Sequence, residues 1–581
     1  MPEPHRTNSA SPKRSHAEVS TDNRAGEALL EVLVEMQHKH GGLTPELVTD
    51  AARQTKTSPS HAYGVASFYS MLSFQPQPRV IRVCDGPTCW LRGSSATRRA
   101  LEATGSDWHV ERSSCLGLCD RAPAALVNED QAGPVLAGNA PQLLDGWRST
   151  PSDFSQSRPG ELRVMMAGAG QIDPDSIDSA LQYGAYEGFR AAMKLTPEAV
   201  IELVTASRLQ GRGGAGFPVG RKWTFVAQAP RKPKYIVCNA DESEPLLFKD
   251  RVLIETNPHQ LLEGIMIGGY ACGASDAWIY IRGEYGPQAR SLRTAIKQAE
   301  EHGLLGDNIL GTDFSFRIHV HQGAGAYICG EETALLESLE GNRGEPRLRP
   351  PYPPERGFRS MPTAVNNVES FCAVASIFRV GLEKWLALST YPTPGTKLYM
   401  ILGHVRQPGL FEAPFGLSLR RVIEEFGGGL KEGSEFHFAL CGGAAGTLVD
   451  ASLLDVPVDY GSAAKGISLG GGAFLVCDKS VSPVALLREL LHFFSVESCG
   501  KCTPCRVGTW RSLQILDRMT AGQGWKGDAD ELSTLATLMQ VSSFCGLGQS
   551  VAIPMMSALK HFGREFADSE TVEPLPVLRK Q

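Results

Sequence analysis

Gly211-Arg-Gly-Gly-Ala-Gly-Phe-Pro218 matches G-x-G-x-x-G literally, and what precedes it decides the fold. A dinucleotide fingerprint of the Rossmann kind follows a strand and opens a helix. Here a helical pattern over 196–209 comes first, with Thr196 placed to cap it, Pro197 in the first turn and Glu198 next. The ordinary Rossmann mechanism is therefore not supported. The glycines instead let the backbone approach a flat, phosphorylated ligand closely. Arg212, Arg221 and Lys222 supply cations for its phosphate; the alternative is a solvated basic turn.

Downstream, Tyr235-Ile-Val-Cys-Asn239-Ala-Asp241-Glu242-Ser243-Glu244 ends an apolar strand in polar side chains. Carboxylates and amides crowded there suit the hydroxyls of a ribityl or ribose; a solvated turn is again the alternative. A further loop, Gly323-Ala-Gly-Ala-Tyr327-Ile-Cys-Gly330-Glu331-Glu332, joins a strand over 316–321 to a helix and leaves free amides beside two acids. Strand-like runs such as Trp278-Ile-Tyr-Ile281 alternate with helices, so the chain reads as α/β through about residue 390. Lys397 to Leu402, a helix over 417–426 and Gly470 to Val476 then outline a small β-grasp (ubiquitin-like) domain, followed by helices from Pro483 to about Phe566. Before the glycine loop lie a helical segment from about 25 to 73, with Leu29, Leu30, Val32, Leu33 and Met36 at helical spacing, and a compact α/β unit from Arg79 to Arg148. The Ser-, Pro-, Asp- and Gly-rich stretch after Ser149 has linker composition.

Eight of the fourteen cysteines form two sets of four. Cys499-x2-Cys502-x2-Cys505 strings three thiolates together, and Cys545 follows with thirty-nine residues between. That is the manner of a [4Fe-4S] cluster, whereas structural zinc generally prefers two separate pairs. Cys84-x4-Cys89 and Cys115-x3-Cys119 stand with twenty-five residues between the pairs. Each pair can take one iron of a [2Fe-2S] rhomb, although zinc or a dithiol could use the same residues. The other six, such as Cys238 and Cys441, read as small buried hydrophobes.

The 581 residues carry 42% hydrophobic and 21% charged side chains and a net charge of -6, with no basic excess for a nucleic-acid partner. No window of eighteen apolar residues predicts a membrane span, and Met1 to Asp22 lacks the apolar core of a secretory signal. A cytoplasmic protein with a disordered N-terminal tail is expected.

With these motifs in hand, residues from about 170 to the end resemble the NADH-binding flavoprotein subunit of respiratory complex I. The same subunit serves as the diaphorase of NAD-reducing hydrogenases and NAD-dependent formate dehydrogenases. The resemblance rests on the glycine loop with Lys222-Trp223, Asn239 to Glu244, Gly325 to Glu332, Asn366-Asn367 and the Glu497 to Arg506 cysteine run. Residues from about 25 to 148 resemble the thioredoxin-like [2Fe-2S] subunit that accompanies that flavoprotein, through Ala66-Ser-Phe-Tyr69 and both cysteine pairs. Two normally separate subunits are thus fused. The expected order is a tail over 1–22, a helical subdomain over 23–78, a thioredoxin-like [2Fe-2S] domain over 79–148 and a linker over 149–170. An FMN- and NADH-binding α/β domain over 171–390, a β-grasp domain over 391–481, a helical [4Fe-4S] domain over 482–570 and a tail over 571–581 complete it.

The resemblance implies FMN held by Gly211, Arg212, Gly213, Lys222, Asn239, Asp241, Glu242, Ser243, Gly330, Glu331, Asn366 and Asn367. It implies NADH against Phe217, Phe225, Tyr327 and Tyr352, with Glu244 and Glu332 on the ribose or nicotinamide side. Glu244 would repel a 2'-phosphate and favour NAD(H) over NADP(H). The implied activity is that of an NADH:acceptor oxidoreductase in which Tyr327 and Glu332 position the hydride step and no side chain acts as base or nucleophile. Electrons then pass through the [4Fe-4S] and [2Fe-2S] clusters to or from an iron-sulfur relay subunit of a larger redox complex. Rival readings are a flavin-free electron-transfer or scaffold subunit and a zinc-stabilised interaction protein. Two departures stand out. Leu246-Leu247 replaces small residues after Glu244-Pro245, and the interval between the first two cysteine pairs is shorter than usual, which puts a loop near the first cluster in doubt.

Overall fold

The computed structural model describes residues 24–573 apart from 76 and 78. The tail expected over 1–22 and most of that over 571–581 lie outside the described residues. Helices Arg24–His40, Pro45–Gln54 and Pro59–Ala66 come first, burying Leu29, Leu30, Leu33 and Val65. Thr44 and Ser58 cap the second and third of these by accepting from Leu47 and His61 N–H, each just ahead of a proline at the helix start.

A four-stranded sheet follows, built from β1 (Val80–Cys84), β2 (His109–Ser113), β3 (Ala125–Val127) and β4 (Asp130–Ala132) in the order β2-β1-β3-β4. β1 and β2 are parallel and β3 and β4 antiparallel, and both cysteine pairs follow the strand ends on one edge of this unit.

The central domain holds four parallel strands, β5 (Tyr235–Ala240), β6 (Asp276–Ile281), β7 (Arg317–Gln322) and β8 (Thr363–Asn367), in the order β7-β6-β5-β8. Their apolar runs are buried, as in a sheet covered on both faces. The chain runs outward from β5 through β6 to β7 and then returns to the other side of β5. The strand order therefore reverses between β5 and β8, and the carboxyl ends at such a reversal form the crevice where α/β sheets bind ligands.

A five-stranded sheet comes next: β9 (Thr396–Gly403), β10 (Gly409–Pro414), β11 (Phe436–Cys441), β12 (Thr447–Val449) and β13 (Ala473–Asp478), ordered β10-β9-β13-β11-β12. β13 runs parallel to β9 and the remaining pairs are antiparallel, the β-grasp arrangement expected from the sequence. Its helix is shorter than the 417–426 reading: Leu419–Arg421 passes into a single π-helical turn, Val422–Phe426. Helices Pro483–Glu497, Thr503–Thr520, Asp528–Ser542 and Ala552–Asp568 close the chain. Glu570–Val572 then pairs with Gly524–Trp525, so the chain is still in a strand where the tail was expected to begin.

The stretch of linker composition is an ordered strap. Arg158 donates to the carbonyls of Gln407 (2.7 Å), Phe426 (2.6 Å) and Pro408 (2.9 Å). The buried Glu412 carboxylate on β10 accepts three successive N–H groups, Val164 (2.8 Å), Met165 (3.0 Å) and Met166 (2.9 Å). Val164, Met165 and Met166 are themselves buried.

Candidate functional site

Two adjoining cavities, of about 370 and 610 Å3, open where the strand order reverses. Gly213, Ala215, Asn239, Gly330, Glu331, Asn367 and Gly546 line both. The inner one is further walled by Asp241, Glu242, Ser243, Glu244, Leu247, Lys249 and Tyr327, the outer one by Gly211, Phe217, Lys222, Phe225, Glu332, Tyr352 and Asn366. Of the eighteen residues expected around FMN and NADH, seventeen meet here. The expected nucleotide set is divided, with Tyr327 and Glu244 in the inner cavity and the half-exposed rings of Phe217, Phe225 and Tyr352 in the outer.

Arg212 is the exception. Its buried guanidinium donates to the carbonyls of Gln210 (3.1 Å) and Thr396 (3.1 Å) and lies 4.5 Å over the Phe415 ring. It therefore clamps the glycine loop to the β-grasp domain and does not serve as the phosphate cation the sequence predicted. Arg221 likewise stands 5.5 Å over Phe225, on the exposed side. Lys222 does reach the cavity, donating to Val365 O (2.8 Å) and pairing with Glu332 (3.3 Å). In the loop itself Gly216 has φ +68°, and a Cβ there would stand 2.6 Å from the Tyr460 ring, so only glycine fits.

The amides expected to be free at the start of helix Glu332–Leu339 are taken. The Glu331 carboxylate accepts from Thr333 N (3.0 Å) and Ala334 N (2.9 Å), capping its own helix. Glu242 does the same for helix Lys249–Thr256, accepting from Asp250 N (2.9 Å) and Arg251 N (3.0 Å). Glu244 accepts from Ala445 N (3.0 Å), tying the cavity to the β-grasp domain. Burial raises Asp241 to about 8 and Glu244 to about 7.

The Leu246 departure is a backbone matter. Glu244-Pro245-Leu246-Leu247 closes with Leu247 N donating to Glu244 O (3.2 Å), and Leu246 has φ +81°. This is a type II turn, with proline at its second position and a positive φ at its third, where glycine is the usual occupant. Leu246 is fully buried, and Leu247 packs against Gly471, where a Cβ would meet its methyl at 2.4 Å.

The cysteine sets come together as read. Cys499, Cys502, Cys505 and Cys545 line one small cavity with Ile328, Pro346 and Phe544. Cys84, Cys89, Cys115 and Cys119 are buried in one cluster with Leu116, Leu118 and Leu126 in contact. Hydrogen bonding from Cys119 and Cys84 draws the Cys115 thiol well below its usual range. Four adjoining thiols, one poised as thiolate, fit an iron-sulfur group. Asp241 Oδ2 and Glu331 Oε1 are buried without a hydrogen-bond partner, the acceptors that ribityl or ribose hydroxyls would satisfy, so the two cavities fit a flavin nucleotide. Sequence reasoning missed Lys249, Ala215 and Gly546 as lining residues; the adjacency of Gly546 to Cys545 was the available signal.

Residues 204–376 match the Nuo51 FMN-binding domain, 485–569 the NADH-ubiquinone oxidoreductase-F iron-sulfur binding region and 15–148 the thioredoxin-like [2Fe-2S] ferredoxin. A second-copy F-type subunit of the NADH-quinone oxidoreductase of Rhizobium meliloti (strain 1021) is 46% identical over 385 residues, covering 66% of this chain and 91% of its own length. The HndC subunit of the NADP-reducing hydrogenase of Solidesulfovibrio fructosivorans is 43% identical over 407 residues, 70% of this chain and 83% of its own. A chain of an NAD+-reducing [NiFe]-hydrogenase, solved in the air-oxidized state, superposes with a TM-score of 0.82 at 30% identity over 96% of each chain. The chain belongs to the family of F-type NADH-quinone oxidoreductase subunits, the Nuo51 flavoproteins, with a thioredoxin-like [2Fe-2S] ferredoxin domain continuous with it.

Proposed function

We propose that the chain is the NADH dehydrogenase (diaphorase) module of a larger redox complex, exchanging hydride with NAD(H) and single electrons with an iron-sulfur relay subunit. One observation carries this reading: Gly546, next to the cluster cysteine Cys545, lines both nucleotide cavities. When bound, FMN supplies the step that neither nucleotide nor cluster can make alone, taking a hydride and releasing electrons singly.

The chain's own residues hold and orient. Gly213, Asn239, Gly330, Glu331 and Asn367, common to both cavities, would grip FMN, and Asp241 would accept from its hydroxyls. Phe217, Phe225 and Tyr352 give the nicotinamide nucleotide flat surfaces, with Lys222 and Glu332 beside them. Leu247, Ile328 and Leu547 keep the inner cavity poor in water. A hydride carries its own electron pair, so positioning and not proton transfer is the protein's task. Cys499 and Cys502 are half-buried and Phe544 is exposed beside them, giving a relay subunit access to the second cluster.

Among the described residues no helix is long and apolar enough to cross a membrane; we place the module in the cytoplasm, against the partners that complete the complex. Anaerobic NADH titration of the iron-reconstituted chain tests the reading, with ferricyanide turnover, metal analysis and EPR. Flavin bleaching with two distinct iron-sulfur signals is expected. A chain that binds no flavin, or holds zinc in place of iron, overturns it.

A further inference from the structure

The Glu497 side chain sits where the three redox sites meet. It ends helix Pro483–Glu497, two residues before the cluster ligand Cys499. One carboxylate oxygen accepts from Tyr327 N at 2.8 Å, and Tyr327 walls the inner nucleotide cavity. The other accepts from the Ser114 hydroxyl, and Ser114 immediately precedes the cluster ligand Cys115. The Ser114 segment is itself stitched to the first cysteine pair: Asp85 N donates to Ser113 O at 2.8 Å, and Gly86 passes so near that a Cβ there would lie 3.3 Å from Ser114 O. On the other side of the same loop, buried Arg282 donates to Cys115 O (2.5 Å) and to Glu242 O (2.6 Å).

A loop held from both sides by buried charged groups has one register. We propose that Glu497 is a positioning residue for electron transfer, whose carboxylate fixes the [2Fe-2S] ligand loop and the Tyr327 wall of the nucleotide cavity against the [4Fe-4S] cysteine run. The assignment rests on the diaphorase reading. Both partners donate, so both oxygens must accept, and a carboxylate does this where an amide cannot. Groups just outside the ligand shell orient the ligands and tune the centre they hold.

The test is a redox titration, followed by EPR, of the full-length iron- and flavin-loaded chain and two variants. Glu497→Gln turns an NH2 towards a donor and removes a buried charge beside both thiol sets. Both centres should become easier to reduce, by about tenfold in reduced fraction at fixed potential, which is about 59 mV for a one-electron centre. Ser114→Ala removes the hydroxyl alone; it should shift the [2Fe-2S] potential and g-values and leave the [4Fe-4S] centre at its wild-type potential. A merely structural role would lower the melting temperature and leave both potentials in place, which overturns the proposal. If Glu497→Gln does not load iron, Ser114→Ala decides alone, and an unchanged [2Fe-2S] potential sinks it. Failure of the wild-type chain to take up flavin or iron would instead strike at the diaphorase reading.

Discussion

Asp241 shows most plainly how the cavity is charged against its own stability. Burial lifts its folded pKa to about 8 from an ordinary 3.8, so between those values the folded state binds more protons than the unfolded. Stability from this group is full below the unfolded value and falls as pH rises towards 8. Asp241→Asn removes that slope, and the flavin-free variant should gain about 1–3 kcal/mol at pH 9, read by calorimetry, while its flavin affinity falls. Glu244, at about 7, gives a second pH dependence. Its charge is lost as pH drops through that value, so the ratio of NADPH to NADH turnover should rise below pH 7, and Glu244→Gln should flatten the profile. Residue types at this site were legible because hydroxyl-binding chemistry needs acids and amides at a strand end. The direction of Arg212 was not, because its partners Thr396 and Phe415 lie in the next domain.

Among the elements, the turn at Leu246 sets two effects against each other. A left-handed residue other than glycine costs about 1–2 kcal/mol, whereas emptying a buried leucine site costs about 2–5 kcal/mol. Burial wins, so Leu246→Gly should lower the melting temperature despite relieving the backbone. The C-terminal helices place Cys545 beside three earlier cysteines, and Cys545→Ser should abolish the [4Fe-4S] signal while flavin and the [2Fe-2S] signal stay, as EPR and visible absorption would show. Strands β5, β6 and β8 could be read because their apolar runs end in turn residues. Their order could not, since parallel strands pair across long crossovers that leave no local trace. The capping by Glu331 was hidden for a related reason: an acid before a helix can bind a ligand or its own amides, and only the φ/ψ of the turn decides.

Across the whole molecule, a few buried charged groups bind the first domain to the flavin domain. Arg251 pairs with Asp120 at 2.6 Å and Glu255 at 2.9 Å and donates to Gly117 O at 3.1 Å, all near the first cysteine set. Breaking a buried pair by removing one partner costs about 3–5 kcal/mol, so Arg251→Met should uncouple the melting of the N-terminal domain from the rest in a calorimetric scan. The motifs revealed both modules, since each carries its own cysteine spacing. The strap between them read as loose because Ser, Pro and Gly composition reports local preference, and its order comes from Glu412 and from carbonyls far along the chain.

That clasped strap alters how the molecule is made. Where two polypeptides must find one another, the yield of the joined form follows their separate abundances; here the two modules meet at the high effective concentration of a short tether. Every chain synthesised therefore carries both iron-sulfur sites in a fixed one-to-one ratio, and cluster loading, not subunit encounter, is left to limit how fast finished modules accumulate.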